Sequence, residues 1–307
     1  MNWHPDITSE AMQRRAEWLD SIRQFFRSRK VLEVTTPVIS KSGVTDPNIE
    51  SMALADQAGF LRTSPEYFHK RLLAAGIGDL FELGPVFRAH ESGRHHRPEF
   101  WMLEWYRTGW SWRALAEEVI ELIHSCCPDP SPLQFEAEFL SWRECLKTVI
   151  SCDPLTCDNE DLVHFTTSLP ADCDRDMRLD YLFATEVQPA FPDNRLTVVH
   201  GYPASQAALA RLDPADERIA ERFEVFWGST ELANGYRELT CPREQRQRFI
   251  RDNQRRRQLG RPSMPMDEQL LAALDAGLPE CSGVALGLER LLMIATGTDD
   301  ISQVTAF

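Results

Sequence analysis

The sequence lacks both the long apolar runs of a membrane protein and an N-terminal secretion signal. No apolar run approaches the ~20 residues needed to cross a bilayer, and the opening segment MNWHPDITSEAMQRR contains no apolar signal-peptide core. The eight cysteines include no C-x-x-C pair. We therefore expect a cytoplasmic protein with reduced thiols and no membrane partner, rather than a disulfide framework or a cysteine zinc site.

Basic residues are also scarce relative to acidic ones. The chain has 33 Lys and Arg residues against 47 Asp and Glu residues, a formal net charge of −14. An acidic chain matches a phosphate backbone poorly, so nucleic-acid binding is disfavoured. One segment, Pro242 to Gln258, differs because it carries seven arginines. That segment is either a solvated helix face, the commoner case, or a docking surface for an acidic partner.

Common catalytic and nucleotide-binding motifs are absent from the sequence. It contains no G-x-x-x-x-G-K-[ST], no G-x-G-x-x-G, no G-x-S-x-G and no H-E-x-x-H, which argues against a P-loop, a Rossmann site, an α/β-hydrolase elbow and a zincin. The predicted strands and helices do not alternate regularly. This order predicts an α+β fold, an antiparallel sheet flanked by helices. No Pro/Ser/Gly linker interrupts residues 1–307, so we expect a single domain.

Periodicity and capping signals locate most of the helices. Trp18, Ile22, Phe25 and Phe26 recur at helical spacing and predict an amphipathic helix from about Ser9 to Arg29. Further helices are predicted from Ser64 to Ala75, from Ser111 to about Cys126, after a capping box that begins at Ser141, from Pro242 to Gln258, and from Leu288 to Ala295.

Two predicted strands, residues 80–87 and 100–106, enclose a polar loop at 88–98, and long loops are often functional. Glu82 and Arg88 share a face of the first strand. The second strand carries on one face Met102, Glu104 and Tyr106. Charged groups on a partly apolar sheet face are costly without partners. These strands therefore hold either a satisfied ion-pair network or a binding site.

Three glutamates, Glu224, Glu231 and Glu238, are spaced seven residues apart. Asn234-Gly235 is a hairpin-turn signal, and a hairpin here would bring Glu224 close to Glu231. Two neighbouring carboxylates suit Mg²⁺, which prefers oxygen ligands. The alternative is a pair of exposed strand carboxylates.

Arg290 falls in the first turn of the predicted C-terminal helix, directly after the small residues of 283–287. A cation at that end of a helix opposes the helix dipole. A bound polyanion would offset this cost; the alternative is an ordinary surface arginine.

Three stretches of the chain resemble, in order, the three motifs of class II aminoacyl-tRNA synthetases. Residues 31–37, VLEVTTP, resemble motif 1; residues 87–106 resemble motif 2; and Gly287-Leu288-Glu289-Arg290 resembles motif 3. Within the class, the sequence is most similar to lysyl-tRNA synthetases, through Ser64-Pro65-Glu66, Glu99-Phe100 and residues 231–235.

Motif 1 begins near residue 30, which leaves no room for an anticodon-binding domain before it. The chain thus looks like the free-standing relatives that ligate (R)-β-lysine to a lysine of translation elongation factor P. Residues 203–210 and 281–287 also resemble that group.

The resemblance implies a two-step reaction. A carboxylate attacks the α-phosphate of ATP to give an acyl-adenylate, and a protein lysine then attacks the adenylate. It further implies Mg²⁺, a substrate that is (R)-β-lysine or lysine, elongation factor P as the acceptor, and a homodimer formed through motif 1. The acidity and the missing anticodon domain make tRNA an improbable partner. Two alternatives stay open: a stand-alone ligase for a tRNA or a small molecule, and a non-catalytic regulatory paralogue.

The resemblance also assigns roles to residues. It assigns catalysis to Arg88, Glu231 and Arg290, and Mg²⁺ binding to Glu224 and Glu231. ATP binding is assigned to Arg88, His90, Glu91, His96, Arg97, Phe100, Glu231, Leu232, Gly287 and Arg290. Binding of the amino acid is assigned to Ser64, Pro65, Glu66, Glu104, Tyr106, Asn234, Glu238 and Ala285.

The chain departs from the family pattern at a few of these positions. His90 stands where a glutamate usually reads the adenine amino group, with Glu91 next to it. Ala285 replaces the glycine of lysyl-tRNA synthetases, and its methyl group would reshape the amino-acid pocket in keeping with a β-amino substrate. Further replacements are Arg97 for Asn, Glu289 for Asp and Lys30 for Gly.

Overall fold

A computed structural model describes residues 3–126 and 136–307, so that Cys127 lies outside the described residues. The strands are β1 (Leu32–Glu33), β2 (Ile39–Ser40), β3 (Phe60–Leu61), β4 (Leu80–Phe87), β5 (Glu99–Thr108), β6 (Glu138–Ser141), β7 (Leu196–His200), β8 (Leu212–Asp213), β9 (Asp216–Ala220), β10 (Arg222–Trp227), β11 (Thr230–Arg237) and β12 (Cys281–Gly287).

The helices are α1 (Ser9–Ser28), α2 (Glu66–Ala74), α3 (Trp112–Cys126), α4 (Trp142–Lys147), α5 (Asn159–Val163), α6 (Arg175–Leu182), α7 (Pro242–Gln258), α8 (Glu268–Gly277) and α9 (Leu288–Thr296). The side chain of Thr8 accepts a hydrogen bond from the Ala11 amide and caps α1. Ser141 and Glu144 form the capping box predicted for α4. No helix in residues 3–126 or 136–307 combines the length and apolarity needed to span a membrane.

Eight strands form the central sheet, in the order β1-β4-β5-β12-β11-β10-β7-β6. The six strands from β4 to β7 pair antiparallel, whereas the two edge strands, β1 and β6, pair parallel with their neighbours. This confirms the predicted α+β architecture of an antiparallel sheet flanked by helices, to which the structure adds parallel pairing at both edges.

Strict alternation along the strands gives the sheet two different faces. One face forms the main core with α1, α3 and α9, through Phe81, Leu83, Leu103, Trp105, Phe223, Val225, Val284 and Leu286. The opposite face carries polar groups beside an apolar cluster that Leu80, Tyr106 and Cys281 form with α2 and α8. A single row of directly paired residues crosses five strands on it: Glu82, Glu104, Ala285, Asn234 and Glu224. Directly paired residues project to the same side, so this row forms the floor of a site.

One local prediction was wrong. Asn234-Gly235 is not a turn but lies within β11, and the β10–β11 connection is at residues 228–229. A methyl group at Gly235 would lie 2.6 Å from Cζ of Phe223, so the glycine serves close packing. The stretch at 31–37 contributes a strand only at Leu32–Glu33.

The arginines of α7 are largely engaged in structural contacts. Arg246 pairs with Glu268 at 2.6 Å, and Arg248 pairs with Glu244. Arg256 is fully buried and donates to backbone carbonyl groups and to Glu50. These contacts favour a helix that braces the fold over a docking surface for an acidic partner.

Candidate active site

A cleft of about 380 Å³ opens over the polar face of the sheet. It is lined by Ile49, Arg88, Glu91, His95, His96, Arg97, Phe100, Met102, Arg222, Glu224, Glu231, Leu232, Asn234, Ala285, Gly287, Glu289, Arg290 and Ile301. Most of the residues predicted to bind ATP are in this set.

Arg88 follows directly after β4 and reaches into the cleft. Its guanidinium carbon lies 5.2 Å from the ring centre of Phe100 on β5, and its Nη1 lies 3.6 Å from Oε1 of Glu91. Its buried Nε has no hydrogen-bond partner. A cation with an unused donor beside an aromatic face is suited to an anion that carries a planar base.

Arg290 is held in the first turn of α9 by two acceptors. Its Nη1 donates to the carbonyl oxygen of Glu231 at 3.0 Å, and its Nη2 lies 2.6 Å from Nε2 of His96. Burial and the nearby charge of Arg290 lower the pKa of His96. A neutral His96 accepts from the guanidinium, and the cationic charge stays available to a polyanion.

The two predicted metal ligands differ in their surroundings. The desolvation of Glu231, and after it the charge of Glu224, raises the pKa of Glu231 to about 7. Oε1 of Glu224 accepts from Arg222 at 2.6 Å and from Asn234 at 3.0 Å, and its Oε2 accepts from Tyr202 at 2.6 Å. A carboxylate oxygen accepts about two hydrogen bonds, so Oε2 of Glu224 has one open position. Glu231 makes a long ion pair, 3.8 Å from its Oε2 to Nη1 of Arg290, which leaves room for a cation.

Beside the cleft lies what we call the acid pocket, formed by Glu66, Glu104, Tyr106 and Glu238. Tyr236 donates to Oε1 of Glu66 at 2.7 Å. Glu238 is only 1% exposed, and its Oε1 accepts no hydrogen bond. Burial raises the pKa of Glu238 to about 8; Lys70 opposes the rise, and Glu66 and Glu104 add to it.

A buried histidine connects the acid pocket to the end of the polar row. Nε2 of His69 lies 2.9 Å from Glu82, and its Nδ1 lies 3.3 Å from Glu104. Burial lowers the pKa of His69, but Glu104 and Glu82 raise it by more. Glu82 also accepts from Arg62 and from Thr36, both at 2.7 Å. At Glu82, therefore, the strand pair holds a satisfied ion-pair network.

The predicted residues separate into three groups. The cleft is lined by the predicted residues Arg88, Glu91, His96, Arg97, Phe100, Glu224, Glu231, Leu232, Asn234, Ala285, Gly287 and Arg290. Glu66, Glu104, Tyr106 and Glu238 meet in the acid pocket, where Ser64 and Pro65 precede α2 and the Ser64 hydroxyl accepts from the Glu66 amide at 3.3 Å. His90 is exposed in a turn with a φ of 65° and does not line the cleft; Glu91 does.

Several residues of the site were assigned no role from sequence, and four of them contact its polar groups or limit its shape: Arg222, Lys70, His69 and Gly283. Three of them had a readable signal. Lys70 follows Glu66 by one helical turn, Arg222 precedes Glu224 by two residues on a strand, and Gly283 precedes Ala285 by two. His69 had no such signal, because its partners come from two other elements.

The chain is similar to known proteins over its whole length. A family model described as tRNA synthetases class II (D, K and N) matches residues 2–307. A protein of Proteus mirabilis (strain HI4320) named elongation factor P--(R)-beta-lysine ligase is 44% identical, with 100% of this chain and 97% of that protein covered. Proteins with the same name match from Klebsiella pneumoniae (strain 342), 44% identical over 99% and 97%, and from Vibrio cholerae serotype O1, 42% identical over 100% and 97%.

Proposed function

Because this chain belongs to the class II tRNA synthetases of the D, K and N group, we propose that it is an ATP-dependent ligase that activates (R)-β-lysine and transfers it to a lysine of translation elongation factor P. The full-length relatives carry the name of this reaction. One structural observation supports the substrate class. The polar row places Ala285 between Glu104 and Asn234, and so joins the arginine-lined cleft to the acid pocket on one face of one sheet.

A substrate with a carboxylate at one end and ammonium groups at the other fits that polarity. Its carboxylate would lie toward Arg88 in the cleft. Its amines would lie toward Glu66 and Glu238, with Tyr106 and Glu104 beside them. Carboxylates pair strongly with cations when water is excluded, and three acids suit a substrate with two positive charges.

The first step needs positioning and charge stabilisation rather than a protein nucleophile. An oxygen of the substrate carboxylate bonds to the α-phosphorus of ATP as the bond to pyrophosphate breaks. Arg88 would lie beside both reacting groups and offset the negative charge that develops on the phosphorus oxygens. Arg290, held by His96, would bind the γ-phosphate, and Phe100 would stack on the adenine.

The carboxylates in the cleft fit a magnesium ion. Glu231 makes a long ion pair with Arg290, 3.8 Å, and Oε2 of Glu224 has one open position. Within the described ranges, no three His, Cys, Asp or Glu side chains cluster as a metal site, which agrees with an ion held by one or two carboxylates plus phosphates. Bound Mg²⁺ would neutralise phosphate charge. Glu231, whose pKa is about 7, would bind it as the carboxylate.

In the second step an uncharged ε-amine of the acceptor lysine attacks the acyl carbon. An amide forms, AMP leaves with the bonding electron pair, and one proton leaves the amine.

Residues 1–307 act in this proposal as a single catalytic domain in the cytoplasm, where translation factors work. We assign a homodimer contact to the segment from β1 to β2, where Leu32 on β1 and Ile39 on β2 expose 51% and 54% of their surface.

Pyrophosphate exchange with L-lysine, (R)-β-lysine and other amino acids tests the activation step. Transfer of the labelled acyl group to elongation factor P and to tRNA tests the acceptor. We expect exchange with (R)-β-lysine and transfer to the protein alone. Transfer only to tRNA would favour the stand-alone synthetase, and no exchange with any amino acid would favour a non-catalytic paralogue. The retention of Arg88 and Arg290 in the cleft argues against the latter.

A further inference from the structure

Lys70 places an ammonium group of the protein itself inside the acid pocket. Its Nζ lies 2.7 Å from Oε1 of Glu66 and 2.5 Å from Oε2 of Glu238. The residue is 1% exposed. The three other lysines of the chain, Lys30, Lys41 and Lys147, are exposed. A buried lysine that bridges two predicted substrate ligands requires a physical reason.

The reason follows from the charges around Glu238. Six titratable side chains on four elements face Glu238: Glu66 and Lys70 on α2, Glu104 and Tyr106 on β5, Tyr236 on β11 and Cys281 on β12. Adjacent buried carboxylates repel one another, and desolvation disfavours each charge, so an acid in such a cluster tends to take up a proton. A protonated Glu238 would be a poor partner for a substrate ammonium.

We propose that Lys70 is a positioning residue for the acid pocket: its ammonium bridges Glu66 and Glu238, holds them close together and favours the charged form of Glu238 while the pocket is empty, so that an incoming substrate amine meets a preformed acidic site. The bridging geometry provides this directly, since one cation contacts both acids. Burial opposes the charge on Lys70, yet Glu238 and Glu66 together raise its pKa above the usual value. This inference rests on the proposed function, in which the pocket binds the substrate amines.

The test compares Lys70→Met with Lys147→Met, an exposed lysine on α4 that serves as the matched control. KM and kcat for (R)-β-lysine are measured by pyrophosphate exchange between pH 6.5 and 9. Without Lys70, the pKa of Glu238 should rise further, and KM at pH 7 should rise about tenfold or more. The KM of the Lys70→Met variant should recover toward the wild-type value by pH 9, and kcat should change little. Lys70→Arg should restore most of the wild-type profile.

A merely structural role predicts something different. A KM that rises equally at every pH, or does not change, overturns the proposal. If Lys70→Met does not fold, Glu66→Gln replaces it. Removing one competing acid should lower the midpoint pH at which KM decreases, relative to the wild type. An unchanged midpoint overturns the proposal.

The proposed function can fail separately from this inference. If the wild type gives no exchange, calorimetric titration of (R)-β-lysine without ATP over the same pH range replaces the kinetic measurement. Binding that weakens on Lys70→Met at pH 7 and recovers at pH 9 supports the role of Lys70. Absence of binding to the wild type overturns it.

Discussion

Gly283 lies directly opposite Tyr106 in the central sheet, and a methyl group at position 283 would lie 2.4 Å from Cε1 of that tyrosine. It would also lie 2.4 Å from Oε1 of Glu238. Gly283→Ala should therefore displace two pocket residues at once. We expect KM for the diamino substrate to rise by roughly 10²-fold, the scale of a misplacement of about 1 Å, while KM for ATP stays the same. Gly93→Ala is the control, because a methyl group there meets open space; equal effects of the two variants would contradict the assignment.

Arg88→Ala should stop activation without unfolding the protein. The side chain makes one long ion pair, 3.6 Å to Glu91, so the midpoint of urea unfolding should barely change. Adenylate formation should fall by at least ~10²–10³-fold, since a preorganised cation beside the reacting phosphate is lost. Arg113→Ala removes a comparable ion pair, 3.3 Å to Glu117, and should leave exchange intact. Undiminished exchange by Arg88→Ala would refute its role.

Glu82→Gln should destabilise the fold. It leaves Arg62, which is 4% exposed, without its buried anion, and breaking such a pair costs about 3–5 kcal/mol. Burial disfavours the charge on Glu82, but His69, Thr36 and Arg62 lower its pKa to about 2. A depressed carboxyl pKa stabilises the fold above the unfolded-state value near 4.3 and loses that effect as the pH falls toward 2.

The stability gap between the wild type and Glu82→Gln, measured by urea unfolding, should therefore be full at pH 7 and shrink between about pH 4.5 and 2. Glu117→Gln, in an exposed pair on α3, should cost at most about 1 kcal/mol. A gap for Glu82→Gln that is independent of pH would mean that the charge of Glu82 does not matter.

Lys30→Gly should stabilise the protein. Lys30 follows the end of α1 with a φ of 58°, the left-handed conformation that helix ends usually give to glycine. Relief of that strain should raise the unfolding free energy by about 0.5–1 kcal/mol, measured by urea unfolding. Lys41→Gly, at an exposed position without a positive φ, should lower it instead, because glycine adds entropy to the unfolded chain.

Local patterns predicted most of the helices. The apolar periodicity of α1, the capping box of α4 and the Pro242 start of α7 all appear as expected. The same local reasoning failed at Asn234-Gly235, because a dipeptide typical of turns is also used where strands pack closely. The polar row depends on strand register, which arises from pairings between distant segments and has no local signature.

The site was predictable in composition more than in arrangement. The resemblance identified most residues of the cleft and the acid pocket. His90, which it assigned to ATP binding, lies instead in an exposed turn. The bridge from Lys70 to Glu238 joins α2 to the end of β11, and only the folded sheet reveals it.

The protonated state of Lys70 also bears on the fate of the intermediate. An acyl-adenylate reacts with any amine that carries a free lone pair, including amines of the protein that made it. Lys70 lies in the pocket, but two carboxylates hold it as an ammonium ion, whose nitrogen has no lone pair to donate. The buried amine is therefore no nucleophile, and the activated acyl group is preserved for a lysine that arrives from outside.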